Sequence, residues 1–190
     1  SSSLSRNMYV IMLATALFST GIRLSHGFAE PLYFQAKYSL SKTDIGLVIG
    51  LHRLSLALPL FATGKIMHRF DVKKAYVFST LVTSLFLLSM GMINNIFIAV
   101  PLWLIHDVVG GSIQIPAAQM LTQQNAHDEE RGKHVNTMEL LSGLVNIVTP
   151  SLTGVLITFY WDSIFILGGF LILLGSVSYT HLTLPTNREV

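Results

Sequence analysis

Six long stretches of apolar residues, separated by short polar connections, occupy the chain as far as about Tyr179. About 20 apolar residues in a row allow a helix to cross the hydrocarbon core of a bilayer. Little of the 190-residue chain is then left for a water-soluble domain. The sequence therefore predicts an all-α membrane protein, with one six-helix transmembrane domain at residues 1–179. The predicted spans are residues 8–30, 44–66, 74–93, 96–122, 135–158 and 161–179.

The composition excludes several kinds of protein. Only 12% of the residues are charged, about half the share that is usual in soluble domains. A soluble helical bundle is excluded because the second, third and sixth stretches are too apolar all round to face water. The absence of cysteine excludes disulfides and thiolate metal sites. No basic patch alternates with aromatic residues, so nucleic acid is not an expected partner, and no metal or cofactor is expected.

The basic residues of the connections lie mostly on one side of the membrane. Under the positive-inside rule, that side is cytoplasmic. We therefore expect a multi-pass protein of a bacterial cytoplasmic membrane, with its N-terminus in the cytoplasm. The seven basic residues on the expected inner side are Arg6, Lys65, Arg69, Lys73, Lys74, Arg131 and Lys133, against Lys37 and Lys42 on the other side.

The end of the chain departs from the apolar pattern. Residues 180–190 resemble the translated adapter sequence that recurs at the ends of metagenomic gene fragments. The chain also begins with Ser1 rather than with methionine. We expect the tail to be artefactual and the natural protein to continue past the sixth span.

The most specific motif is the connection between the second and third spans. It resembles the signature loop of the major facilitator superfamily, G-x-x-x-D-R-x-G-R-[KR]. Gly64, Arg69 and Lys73 match that loop, whereas His68 stands at its aspartate and Asp71 at its glycine. In this interpretation the glycine permits close helix packing, and the basic residues make charge contacts that differ between conformations. The alternative is that the basic residues only anchor the loop at the inner leaflet.

Two segments around the fourth span resemble the same family. The segment that starts at His106 is similar to its R-x-x-x-G element, with His106 at the arginine and Gly110 at the glycine. Glu130, Arg131 and Gly132 are similar to its acidic-Arg-Gly connection, which leads into the fifth span. We interpret Gly110, Arg131 and Gly132 as helix-packing or gating positions.

The fifth span keeps part of a motif from exporters of this family. Pro150 and Gly154 match the second and last positions of G-P-x-x-G-G, and we interpret them as helix-packing or gating positions too. The resemblance covers about residues 8–178. It implies the first six-helix half of a twelve-helix transporter, built from two inverted three-helix repeats. The C-terminal six-helix half of the same natural chain is then an expected partner.

Ionisable residues inside the predicted spans form the candidate site. An arginine at the centre of a membrane helix costs about 2.5–3.5 kcal/mol on translocon scales, so such residues tend to face a cavity or a partner. Arg23, His26 and Glu30 lie at positions i, i+3 and i+7 of the first span, which places them on one stripe of a continuous helix. We interpret all three as candidates for substrate binding or coupling.

Further candidates lie on the second and fourth spans. Arg53 reaches a depth similar to that of Arg23, in the outer half of the membrane, whereas His106 and Asp107 lie near the middle of the fourth span. In the family that the chain resembles, the first and fourth helices line the central cavity. Convergence of these four residues therefore predicts a substrate or coupling site.

Structural alternatives exist for several of these residues. Arg53 and Asp107 can form an ion pair that only satisfies buried charge. Glu30 can lie solvated at the outer interface. His106 can donate one hydrogen bond between helices instead of exchanging a proton, although histidine titrates near neutral pH. His52 is interpreted as an interface or packing residue.

The leading functional hypothesis is a secondary active transporter that moves a small solute by alternating access. A proton gradient is the expected drive, because histidine and carboxylates lie at depth and no G-x-x-x-x-G-K-[ST] loop occurs. The arginines favour an anionic solute. One alternative is a six-helix membrane enzyme, although no nucleophile elbow, H-E-x-x-H pair or paired aspartates occurs. Another is a receptor or assembly subunit, whose buried charges would serve packing alone.

Overall fold

The computed structural model describes residues 6–126 and 131–180. Within these ranges the regular secondary structure is all helical, with short turns between the helices and no strand. The predicted artefactual tail, apart from Thr180, lies outside the described residues, as does Glu130 of the acidic-Arg-Gly motif. The helices are α1 (Arg6–Ser25), α2 (Ala29–Tyr38), α3 (Lys42–Ala57), α4 (Leu60–Arg69), α5 (Val72–Met90), α6 (Ile96–His106), a π-helical segment (Asp107–Gly111), α7 (Ser112–Asn125), α8 (Arg131–Phe159) and α9 (Ser163–Thr180).

Six helical segments among the described residues are long and apolar enough to cross a membrane. This confirms the predicted fold class of an all-α, six-helix membrane domain. Most predicted bounds agree with the helices to within a few residues, whereas the first span ends earlier than predicted. The six segments are Arg6–Ser25, Lys42–Arg69, Val72–Met90, Ile96–Asn125, Arg131–Phe159 and Ser163–Thr180.

The first span is broken at Gly27, which has a φ of +80°. This left-handed conformation is easy for glycine and strained for other residues, so α1 stops and the chain restarts as α2. Pro31 fits in the first turn of α2, where its missing N–H has no helical partner to lose. The expectation of one continuous stripe from Arg23 to Glu30 is therefore wrong. Arg23 lies exposed on α1, whereas Glu30 lies buried on α2.

The centre of the bundle is formed by α1, α9 and α5. A Cβ atom at Gly21 of α1 would lie 2.5 Å from the carbonyl oxygen of Gly168 of α9, and the reverse distance is also 2.5 Å. Small residues permit this close approach of two membrane helices. On the other side of α9, Ser84 of α5 donates a hydrogen bond of 2.8 Å to the carbonyl of Gly169. The second and fifth spans are the least buried of the six and lie at the edge of this core.

The predicted signature loop has well-defined local structure around Asp71. The Asp71 side chain caps α5 by accepting a hydrogen bond of 2.9 Å from the backbone N–H of Lys74. A helix N-cap favours aspartate over most residues, which gives a local reason for aspartate at this position. Lys73 donates to the carbonyl oxygen of Thr180 at 3.1 Å, and His68 and Arg69 are exposed at the end of α4.

The predicted packing glycines fall into two groups. At Gly110 an added Cβ would collide with the side chain of Thr83 on α5. At Gly64, Gly132 and Gly154 an added Cβ would meet no atom of the described residues within 4 Å, so the close packing expected at Gly64 does not occur within this part of the chain. Pro150 is an exposed residue inside the long helix α8, and Arg131 begins that helix.

Candidate functional site

A buried histidine, His52 of α3, lies between two carboxylates. Its Nδ1 is 2.8 Å from Oε1 of Glu30, and its Nε2 is 2.8 Å from Oδ2 of Asp107. The side chains of His52 and Glu30 are fully buried, and that of Asp107 is 10% exposed. Neither contact is an aligned hydrogen bond, because neither ring nitrogen of His52 has a hydrogen-bond partner among the described residues. The geometry is that of one imidazole, which can carry a positive charge, in close contact with two carboxylates.

Two irregular segments of backbone bring the carboxylates to His52. Glu30 stands in the first turn of α2, directly after the turn at Gly27. Asp107 is the first residue of the π-helical segment in the fourth span. Single π-helical turns inside α-helices frequently occur at functional sites. His106, the last residue of α6, directly precedes Asp107, and its Nε2 lies 3.4 Å from Asp107 Oδ1.

Trp103 fixes the orientation of this polar cluster. Its indole Nε1 donates a hydrogen bond of 2.8 Å to Oε1 of Glu30. Its backbone carbonyl accepts a hydrogen bond from Nδ1 of His106, so Nδ1 carries a proton, whereas Nε2 makes no hydrogen bond among the described residues. The Trp103 ring lies 4.6 Å from the ring of His52 and 4.6 Å from that of His106. The indole ring of Trp103 thus packs against both imidazoles.

His26 connects the cluster to an open cavity. Its ring lies 5.3 Å from that of His52 and 4.7 Å from that of Trp103. Its Nδ1 donates to the carbonyl oxygen of Ile22 at 2.9 Å, which orients the ring at the end of α1. His26 is half-buried, because one side packs on the cluster and the other lines the cavity.

The cavity has a volume of about 370 Å³. This volume lies within the range typical of small-molecule sites. Arg23 and Arg53 lie in its wall, together with Asp107 and the amide of Gln114. The Arg53 side chain is 57% exposed, and its Nη2 is 3.9 Å from Oε2 of Glu30. Two guanidinium groups therefore border the same space, and one of them also approaches the buried cluster.

The three histidines of the cluster raise the question of a metal site. One ring nitrogen from each of His26, His52 and His106 lies within 4.8 Å of the others. A histidine that holds a proton on both nitrogens has no lone pair for a metal, and both nitrogens of His52 lie 2.8 Å from carboxylate oxygens. Three imidazoles beside two carboxylates are also groups that can exchange protons near neutral pH.

The structure brings the candidate residues into one region but corrects several contacts. Arg53 approaches Glu30, and no ion pair joins it to Asp107 among the described residues. Glu30 is buried, so the alternative that its side chain is merely solvated is wrong. His106 donates its Nδ1 hydrogen bond within its own helix, not between helices.

Sequence reasoning missed the central residue of the cluster. His52, interpreted as a packing or interface histidine, contacts both buried carboxylates. The signal that could have found it is its position inside an apolar span, which is the criterion that selected its neighbour Arg53.

Comparison with known proteins gives one match. A family model described as Major Facilitator Superfamily matches residues 11–190. No curated protein and no solved structure matches the chain. The family match covers nearly the whole chain, including every residue of the cluster and the cavity.

Proposed function

The chain belongs to the Major Facilitator Superfamily of membrane transporters, and we propose that it moves a small anionic solute together with protons by alternating access. The observation that carries this proposal is the position of His52 between Glu30 and Asp107, beside a cavity bordered by two arginines. A buried cation between two anions changes its interactions strongly when one proton is gained or lost.

The contacts of Arg53 suggest how solute and proton are coupled. Arg53 lies 3.9 Å from Glu30 and contributes positive charge to the cluster. A solute carboxylate that binds Arg53 takes this cation away from Glu30. The carboxylates of the cluster then lack a positive charge, and an added proton stabilises them. That proton can be shared by Glu30, His52, Asp107, His106 and His26. Solute and proton therefore favour each other's binding, and this coupling is reciprocal.

The anionic character of the solute follows from the cavity wall. Arginine binds carboxylates through paired, charge-assisted hydrogen bonds. Arg23 and Arg53 border a space large enough for a small organic acid, and Gln114 adds an amide donor. We therefore place the solute carboxylate between the two guanidinium groups.

Two exposed arginines support the presence of a second six-helix half. Arg23 and Arg53 are exposed in the six-helix domain at positions inside membrane spans, and arginine facing lipid there is costly. A C-terminal six-helix half of the same natural chain would cover them and leave an aqueous gap. The sparsely covered second and fifth spans offer surface for it. The proposed setting is a bacterial cytoplasmic membrane, with the N-terminus inside.

Transport by the natural full-length chain tests the site. The chain is reconstituted in vesicles that contain a pH-sensitive dye, and lactate, succinate, glucose and putrescine serve as probes. We expect uptake of a carboxylate with parallel proton movement. Arg23→Ala and Arg53→Ala should each lower uptake at low solute concentration about tenfold or more, because a hydrogen bond to a charged group contributes about 1.5–3 kcal/mol.

Lys42→Ala is the matched control, since Lys42 is an exposed cation at the start of α3, outside the cavity. Normal uptake by both arginine variants would remove the proposed site. Carboxylate uptake without proton movement would refute the coupling, and uptake of only glucose or putrescine would refute the anionic solute. Flux through the 190-residue chain alone would refute the need for a second half. No flux of any probe would favour a receptor or assembly role.

A further inference from the structure

A second buried ion pair lies away from the cavity. Nζ of Lys37, near the end of α2, is 2.6 Å from Oδ1 of Asp162, in the turn between α8 and α9. Both side chains are only about one tenth exposed. Tyr33 lies between them and the third span, because its hydroxyl is 2.7 Å from Asp162 Oδ1 and 3.2 Å from the carbonyl of Met90. We call Lys37, Tyr33 and Asp162 the Asp162 brace.

Two residues of the brace lie on the same face of α2 as Glu30. Glu30, Tyr33 and Lys37 occupy positions i, i+3 and i+7, which point the same way on a helix. About 10 Å of helix separates the first from the last. Any rotation or sliding of α2 therefore moves Glu30 and the brace together.

The connection before α2 does not fix its position by itself. Gly27 is a glycine turn, and an added Cβ there would meet no atom of the described residues within 4 Å. At the other end, the brace joins α2 to the end of α5 and to the α8–α9 turn, and the Tyr33 ring packs on Phe165 of α9 at 4.3 Å. The contacts that orient α2 on the core of the bundle thus include the brace.

We propose that Lys37 and Asp162 are positioning residues that set the rotation of α2 and so hold Glu30 against His52 and Trp103. A buried ion pair adds little net stability compared with apolar packing, so its directed geometry is its more useful property. The importance of Glu30 for transport rests on the proposed function, whereas the positioning effect can be measured without transport.

Trp103 provides a local probe of Glu30. The chain has two tryptophans, Trp103 and Trp161, so the variant Trp161→Phe leaves Trp103 as the single emitter. In that background we expect Glu30→Gln to shift the emission maximum, because the indole N–H donates to the Glu30 carboxylate. We expect Asp162→Asn to shift it as well, through displacement of α2.

The test is a double-mutant cycle on the full 190-residue chain in detergent. If the brace positions Glu30, then Glu30→Gln causes no further shift once Asp162→Asn is present. Additive shifts, or no shift with Asp162→Asn, would overturn the proposal. Lys37→Gln should reproduce the effect of Asp162→Asn, and circular dichroism shows that each variant is folded.

A charge swap and a control complete the experiment. The double variant Lys37→Asp with Asp162→Lys should restore the emission maximum of Trp103. A shift caused only by local disturbance around the substituted residues would persist in the double variant. Asp44→Asn is the matched control, because Asp44 is an exposed carboxylate that pairs with Ser41 at the start of α3. Because the emission of Trp103 involves no flux, failure here leaves the transport proposal intact, and failed transport leaves this result intact.

Discussion

Replacement of His52 by alanine is expected to abolish proton movement coupled to carboxylate uptake in the reconstituted natural chain. In the proposed mechanism His52 is the group that carries positive charge between Glu30 and Asp107, each of which has a carboxylate oxygen 2.8 Å from its ring. Without it, two carboxylates are left buried, and an isolated buried carboxylate neutralises itself by holding a proton. The cluster would then be fixed in its protonated state and could no longer release a proton during the cycle.

The same variant should still exchange solute for solute. Equilibrium exchange of labelled for unlabelled carboxylate needs no net proton movement, and Arg23 and Arg53 remain in the cavity. Loss of one partner from a buried ion pair costs about 3–5 kcal/mol, so retained exchange also shows that the variant is folded. Lys42→Ala again serves as the control, because Lys42 is exposed at the start of α3 and lies outside the cavity. Proton-coupled uptake by His52→Ala at the wild-type rate would contradict the proposed role.

The spans could be predicted because hydrophobicity over about 20 residues is a property of the local sequence. The break at Gly27 could not be predicted in this way. A glycine in an apolar run can serve close packing or a left-handed turn, and only the surrounding structure decides between them. Gly21 and Gly27 illustrate this, since the first lies against Gly168 and the second forms the turn.

Most residues of the candidate site could be selected from the sequence, but the contacts between them could not. His52 and Arg53 are consecutive residues, and consecutive side chains on a helix point about 100° apart. One is fully buried in the cluster, whereas the other is more than half exposed in the cavity. The rotation of α3 about its axis decides which of the two side chains contacts the carboxylates, and this rotation cannot be derived from the local sequence. The pair of Lys37 and Asp162, separated by 125 positions, was likewise hidden from local patterns.

Replacement of Gly168 by valine is expected to destabilise the domain more than any surface substitution. The new Cβ would lie 2.5 Å from the carbonyl oxygen of Gly21, and a backbone atom inside a helix cannot move aside without moving α1. Overpacking typically costs about 1–3 kcal/mol and occasionally more. We expect the upper end of this range, because α1 and α9 share the most extensive helix–helix contact among the described residues. Gly168→Ala should show a smaller loss in the same direction.

Thermal unfolding of the 190-residue chain in detergent, followed by circular dichroism, measures this loss. Gly143→Ala in α8 is the matched control, since an added Cβ there would meet no described atom within 4 Å. Alanine favours a helix over glycine by up to about 1 kcal/mol, so this control should keep or raise the unfolding temperature. Equal unfolding temperatures for Gly168→Val and Gly143→Ala would show that α1 and α9 do not meet through their glycines. A lower unfolding temperature for Gly168→Val and an equal or higher one for Gly143→Ala would instead show that this glycine contact holds α1 against α9. The position of α1 in turn sets the position of the His26 ring beside the cluster.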